Sequence, residues 1–258
     1  MVKDFIEKKF SKVQRRNVRN FLNDIRASFV PGNLNQLARI YKTDKWGEHR
    51  YTPHYKTHLK KYRFKKINLL EIGVGGYEEP LAGGFSLRMW KKYFPFGKIY
   101  SVDIHDKSPL QEKRIKIYQG SQVDLNLLDQ IVHEIGTIDV IIDDGSHINE
   151  HVITTFKHLF PKLKDGGVYV IEDTQTSYWE DFGGSSENLN DPKTMMNFFK
   201  NLTDSVNFME FTKANYEPTY YDLHITSIHF YHNLIFIHKN LNDELSNKDM
   251  NQERLKNK

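Results

Sequence analysis

Apolar and polar positions change their period along this chain. Val18, Phe21, Leu22, Ile25 and Phe29 recur at three- and four-residue spacing, which predicts an amphipathic helix. Pro31-Gly32 interrupts it, and Asn33 is placed to cap a short second helix over 34–41. From residue 67 onward, short β-rich runs at 67–72, 98–103, 115–118, 138–143 and 168–172 alternate with helical patterns. Strands separated by helices of that length predict an α/β fold, a mostly parallel Rossmann-like sheet with helices on both faces. Runs at 224–230 and 234–238 flank Tyr231-His232-Asn233 and predict an antiparallel C-terminal hairpin at one edge. The pattern divides the chain into a basic amphipathic helix (1–30), one α/β domain (31–240) and a polar tail (241–258), frayed or helical.

Composition narrows the class. A chain of 258 residues with 38% hydrophobic content can bury a substantial core and is not a disordered polymer. No apolar run approaches the roughly 20 residues of a membrane span, and residues 1–4 do not open into a signal-peptide hydrophobic region, so a cytoplasmic protein is expected. With no cysteine there is no disulfide, thiolate zinc site or cysteine nucleophile, and any metal must be held by oxygen or imidazole. A net charge of +4 does not imply nucleic acid, and no nucleic-acid partner is expected. Residues 1–26 are locally different, with eight basic side chains against three acidic ones. Such a helix packs on its own domain or on a partner subunit in a homo-oligomer, or makes peripheral contact with a membrane surface or polyanion. Only four alanines, beside abundant Lys, Asn and Ile, point to an AT-rich genome.

Candidate chemistry collects where the strands end. The first closes in Leu70-Glu71-Ile72-Gly73-Val74-Gly75-Gly76-Tyr77, whose glycines let backbone pass close to a nucleotide-like ligand. Glu78 stands where a dinucleotide fingerprint requires glycine, which disfavours a dehydrogenase. Asp103 ends the second strand, where a carboxylate can accept both hydroxyls of a ribose. Because a carboxylate such as Glu71 beside a pyrophosphate is electrostatically costly, a cationic adenosine ligand fits better. Beyond the fourth strand lies Asp143-Asp144-Gly145-Ser146-His147, and beyond the fifth Glu172-Asp173. Adjacent strand ends lie about 5 Å apart, so Asp144, Glu172 and Asp173 can converge. Acids that close repel unless neutralised, and oxygen donors select a hard divalent cation, magnesium first, with manganese or calcium as substitutes. The plainer reading makes them solvated strand-end caps. His147-Ile148-Asn149-Glu150-His151 also matches a metalloprotease pattern, H-x-x-E-H, which needs both histidines on one helical face. His147 follows a strand end instead, so His151 is expected on a helix surface.

The glycine loop, Asp103 and the terminal hairpin together resemble class I S-adenosylmethionine-dependent methyltransferases. That resemblance implies S-adenosylmethionine at Glu71, Gly73, Gly75 and Asp103, with Ser86 beside its methionine moiety and Ser121 and Gln122 beside the adenine. Tyr77, where many members have a third glycine, would narrow the methionine end. A narrower resemblance rests on Thr43-Asp44-Lys45, Tyr51-Thr52-Pro53-His54-Tyr55, residues 142–147 and Val170-Ile171-Glu172-Asp173-Thr174-Gln175-Thr176-Ser177-Tyr178-Trp179. Over roughly residues 40–240 these are similar to the metal-dependent sugar O-methyltransferases of the mycinamicin macrolide type. The similarity implies magnesium on Asp144, Glu172 and Asp173, His147 as general base, Thr43 at the cofactor site and Asp139 nearby. The macrolide enzymes carry an extended amino-terminal region where this chain has its short basic helix. The implied acceptor is a sugar hydroxyl of a polysaccharide, glycolipid or other glycoconjugate, because macrolide-pathway proteins are usually alanine- and arginine-rich. A catechol-type methyltransferase and a degenerate fold serving as a binding module are the alternatives. Residues 181–191 read as a flexible lid, with Trp179 and Phe182 stacking on a sugar or packing the lid base.

Overall fold

The computed structural model describes residues 11–246, so Lys3, Lys8 and Lys9 of the basic segment and residues 247–258 of the tail lie outside the described residues. The described residues form two compact units that divide between Ile131 and Val132.

In the first unit, helix α1 (Lys12–Ser28) starts in a capping box. The Gln14 amide donates to Ser11 Oγ at 3.2 Å, and the Ser11 amide donates to Gln14 Oε1 at 2.9 Å. Helix α2 (Leu34–Tyr41) is capped by Asn33 as predicted and ends at Lys42, whose φ of 64° reverses the chain. It is followed by α3 (Thr52–Leu59), β1 (Asn68–Ile72), α4 (Phe85–Tyr93), β2 (Lys98–Asp103) and β3 (Ile115–Gln119). β1 and β3 flank β2 in parallel, with Glu71 opposite Ser101 and Asp103 opposite Gln119. All three strands therefore point their carboxyl ends the same way, and Leu69, Leu70, Trp90 and Ile99 are fully buried around them.

The boundary between the units falls within α5 (Leu125–Ile135). β4 (Ile138–Asp143) pairs in parallel with β5 (Leu163–Glu172) through α6 (Asn149–Leu159), placing Asp143 opposite Ile171. Ile138, Val140, Ile141 and Ile142 are fully buried. Each such side chain contributes about 1.5–3 kcal/mol, and β4 shows no polar alternation because both its faces are covered. β7 (Leu234–Lys239) runs antiparallel to β5, and β6 (Ile225–Tyr231) antiparallel to β7, which is the predicted hairpin. Its turn passes through Asn233 at φ 58°. Helices α7 (Met195–Asn201), α8 (Thr203–Val206) and α9 (Tyr220–His224) complete the unit.

β5 begins five residues before the expected 168. Leu163 pairs with Ile138, and an irregularity between Ile138 and Val140 accommodates Asp165-Gly166-Gly167, where Gly166 takes φ 79°. The described part of the tail is docked rather than frayed: Asn242 Nδ2 donates to the carbonyls of Ser205 (3.2 Å) and Asp222 (2.9 Å). Among the described residues no helix is long and apolar enough to cross a membrane.

Candidate active site

At the carboxyl end of β1 the chain folds into a loop over residues 73–84. The Val74 amide donates to Asp103 Oδ2 at 2.8 Å and the His105 amide to Oδ1 at 2.9 Å. Each Asp103 oxygen thus keeps a lone pair, the provision a vicinal diol needs. The loop is closed by the Gly84 amide on the Val74 carbonyl (2.8 Å) and by Lys107, almost fully buried, whose Nζ donates to the Glu79 carbonyl at 2.8 Å. Burial pushes the Lys107 ammonium below its ordinary range, with Asp103 and Glu79 opposing. Two glycines serve this loop rather than a ligand. A Cβ on Gly76 would stand 2.4 Å from the Ala82 carbonyl carbon, and one on Gly83 would stand 2.1 Å from the Gly75 oxygen. Gly75 differs: at φ +74° its missing Cβ points at open space, with nothing within 4 Å.

Glu71 is fully buried, with Oε1 3.4 Å from the equally buried Lys45 Nζ and Oε2 accepting from Ser86 Oγ at 3.1 Å. The positive group that the sequence reading sought beside Glu71 is therefore supplied, at least in part, by the chain itself. Ser86, expected beside a methionine moiety, is bonded to Glu71. Thr43 is buried and donates to Asp44 at 3.2 Å. Tyr77 is 88% exposed, its φ of 43° turning the ring outward. Ser121 and Gln122 follow Gly120, whose amide donates to the Asp103 carbonyl at 2.8 Å, so this turn lies beside Asp103 at the same end of the unit.

In the second unit, Asp144, His147 and Asp173 bring one ligand atom each to within 4.8 Å of one another, and an Asp144 oxygen also comes within 4.8 Å of one on Glu172. The expected convergence of the two strand ends is present, with Asp144 as its hub. His147 Nε2 lies 3.7 Å from Asp173 Oδ2. Both residues hold left-handed backbone, φ 56° at His147 and 52° at Asp173, a conformation costing about 1–3 kcal/mol each for a non-glycine residue. Thr176 Oγ1 stabilises both turns, donating to the His147 carbonyl at 2.8 Å with the Asp173 carbonyl at 3.2 Å. Asn149, nearly fully buried, donates to the carbonyls of Thr176 and Phe182 and accepts from the Met195 amide at 2.7 Å. Asp143, the neighbouring acid, faces elsewhere. Burial and then its carboxylate push the Tyr169 phenol well above its ordinary range.

Two expectations are corrected. Asp139 lies at the amino end of β4, four residues and about 13 Å from Asp143 at strand rise, and it ion-pairs with Lys164. It belongs to the opposite end of the strand from the candidate site. The protease pattern, set aside on sequence, is not formed: His147 precedes α6 in left-handed backbone, while His151 lies on that helix with Nδ1 3.0 Å from Ser146 Oγ. The base of the supposed lid is pinned: the Gly184 amide donates to the Trp179 carbonyl (2.9 Å) and Ser185 to Ser177 (2.9 Å). Trp179 is half-exposed and its ring lies 5.9 Å from that of Phe182, so packing and outward presentation coexist. Lys45, Lys107, Thr176 and Asn149 were given no role by sequence reasoning. Lys45, Thr176 and Asn149 sit inside the quoted motifs, which was the one available signal.

No protein-family model matches the chain. It is 47% identical over 214 residues to the demethylmacrocin O-methyltransferase of Streptomyces fradiae, covering 82% of this chain and 54% of that protein. It is 45% identical over 214 residues to the 8-demethyl-8-alpha-L-rhamnosyl tetracenomycin-C 2'-O-methyltransferase of Streptomyces olivaceus, covering 83% and 56%. Among solved structures, the MycE methyltransferase of the mycinamycin biosynthetic pathway, in complex with Mg and SAH, superposes with a TM-score of 0.80 at 44% identity, covering 86% of this chain and 60% of that one. The chain spans about half the length of the curated relatives it matches. Strand order within each unit, the loop after β1 and this superposition define the class I methyltransferase fold. Within that class, the chain is a homologue of the sugar O-methyltransferases of macrolide and tetracenomycin pathways.

Proposed function

We propose that this chain is a metal-dependent O-methyltransferase that methylates a sugar hydroxyl with S-adenosylmethionine as donor. The observation that carries the reading is the gathering of Asp144, His147 and Asp173, with Glu172 within reach of Asp144. Such a set of carboxylate oxygens beside an imidazole suits a hard divalent cation, magnesium first. The cofactor reading is supported by Asp103 with its two remaining lone pairs and by the open space over Gly75. S-adenosylmethionine would supply an activated methyl group, and the cation would acidify and orient an acceptor hydroxyl.

The chain's own residues then have distinct tasks. Asp144, Glu172 and Asp173 hold the cation. His147, placed by its left-handed turn and the Thr176 hydroxyl, accepts the hydroxyl proton at its ring. The Asp173 carboxylate 3.7 Å from Nε2 offsets the charge the ring acquires. Asp103 holds the ribose, and the turn at Ser121-Gln122 borders the adenine. Glu71, paired with Lys45, fixes Ser86 and the floor of the loop.

A glycosyl acceptor is supported by the names of the relatives, which act on sugars of macrolides and of tetracenomycin. Half-exposed Trp179 and exposed Tyr178, just beyond the Glu172-Asp173 pair, offer stacking faces for such a ring. A polysaccharide, glycolipid or other glycoconjugate carrier is supported by composition, with four alanines in 258 residues. The test is transfer of a labelled methyl group to a panel of glycosides and glycans, with and without chelator. Transfer that needs magnesium and fails on a deoxy analogue lacking the neighbouring hydroxyl supports the reading. Transfer undiminished in excess chelator refutes it.

A further inference from the structure

Helix α1 is inverted relative to an ordinary surface helix. The side it buries carries Asn23 and Ala27, whereas Val18, Phe21, Leu22, Ile25 and Phe29 form one outward stripe, from 44% exposed at Ile25 to 82% at Phe29. At 3.6 residues per turn the stripe lies opposite Ala27. Lys12, Arg15, Arg19 and Arg26 line one of its borders. What holds the helix is polar: Asp24 binds Arg88 and the Tyr41 hydroxyl, and Ser28 Oγ accepts from Lys92 Nζ at 2.7 Å.

A second basic and apolar cluster adjoins it. Residues 60–66, Lys-Lys-Tyr-Arg-Phe-Lys-Lys, precede β1 with five cations and no acid, and Phe64 is 66% exposed under the Arg63 guanidinium, 4.6 Å away. Phe96, 58% exposed, precedes β2, which is parallel to β1, so both rings lie at the amino-terminal end of these strands. The carboxyl end of α1 reaches the same place, since a Cβ on Gly32 would stand 2.7 Å from the Arg63 guanidinium. Phe29, Phe64, Phe96 and the cations around them thus share the end of the unit opposite Gly73 and Asp103.

We infer that this face docks on an anionic lipid bilayer, with α1 lying in the interface. An outward apolar stripe bordered by cations matches the interfacial region of a membrane, and clusters of four to eight Lys and Arg are drawn to anionic lipid. A second copy fits less well, because two-fold antiparallel pairing of α1 would set its cationic border against itself. Nucleic acid would use the cations and leave Phe21, Phe29 and Phe64 in water. Contact would be peripheral, since no described helix can span.

Vesicle flotation of the full chain tests this, with phosphatidylcholine alone and with phosphatidylcholine containing phosphatidylglycerol. The expected result is association with the anionic vesicles only. Lys65→Gln with Lys66→Gln should weaken it about thirtyfold, and Phe21→Glu with Ile25→Glu should abolish it. Both double variants should keep the wild-type circular dichroism and melting temperature, because these side chains are exposed. Absence of flotation overturns the inference, as does equal flotation on neutral vesicles. Association that survives Phe21→Glu with Ile25→Glu marks a polyanion site and overturns it too. So does light scattering in which that variant splits an oligomer while the wild type ignores vesicles.

Discussion

At the carboxyl ends of β1 and β2 the acids are engaged by the chain's own donors, Glu71 by Lys45 and Ser86, and Asp103 by two backbone amides. At the carboxyl ends of β4 and β5, Asp144 instead meets Asp173, His147 and Glu172, and two of these residues hold left-handed backbone. Residue types are alike at both ends, yet the first sets a buried acid beside a cation and the second gathers acids around an imidazole. Acids gathered on one point are what a bound cation would repay, and the left-handed turns at His147 and Asp173 are held by the Thr176 hydroxyl. Substitutions should accordingly cost stability in the first region and chemistry in the second.

The largest expected effect is on turnover. His147→Ala should lower the transfer rate by about 10²- to 10⁴-fold, the usual contribution of a general base, while the melting temperature stays near the wild-type value, because alanine meets the same left-handed turn. Retained divalent-cation affinity in that variant, read by calorimetry, separates a base from a ligand. Lys45→Met should show the reverse. It leaves the fully buried Glu71 carboxylate without its ammonium and should cost about 3–5 kcal/mol in chemical denaturation, part of which Glu71→Gln in the same chain should restore. A Lys45→Met protein of wild-type stability would break the comparison. Asp103→Ala should weaken S-adenosylmethionine by about 1–3 kcal/mol in calorimetry, and it should also lower stability because the Val74 and His105 amides lose their acceptor. Smallest is Thr176→Val, which removes one buried hydroxyl and should cost about 1 kcal/mol of stability. Its rate should fall further than that figure implies, since the His147 carbonyl loses the bond that orients its turn.

Much of this architecture is legible in the amino-acid order because it is local. The Asn33 cap and the boundaries of α2, β2 and β4 follow from capping chemistry and from runs of Ile and Val. Non-local pairing decides the rest. Lys45 meets Glu71 across 26 positions, and nothing in Thr-Asp-Lys announces a buried ammonium. Asp139 shares strand and residue type with Asp143, so only the polarity of β4 tells which of them lies at the chemical end. Gly183-Gly184-Ser185 reads as slack chain, yet a Cβ on Gly184 would stand 2.4 Å from the Thr176 oxygen, so that glycine is required for close approach rather than for motion. The acids of the site were visible as residues, whereas the turn geometry that aims His147 and Asp173 depends on Thr176, a contact 29 positions from His147.

The division of labour is tested most directly by titrating S-adenosylmethionine and a divalent cation into the same protein, wild type and Asp144→Asn. The expected result is that cofactor binds the wild type in excess chelator, that Asp144→Asn keeps cofactor affinity, and that its magnesium or manganese isotherm is flat. Cofactor affinity that collapses with the metal, or a cation isotherm unchanged by Asp144→Asn, would contradict it.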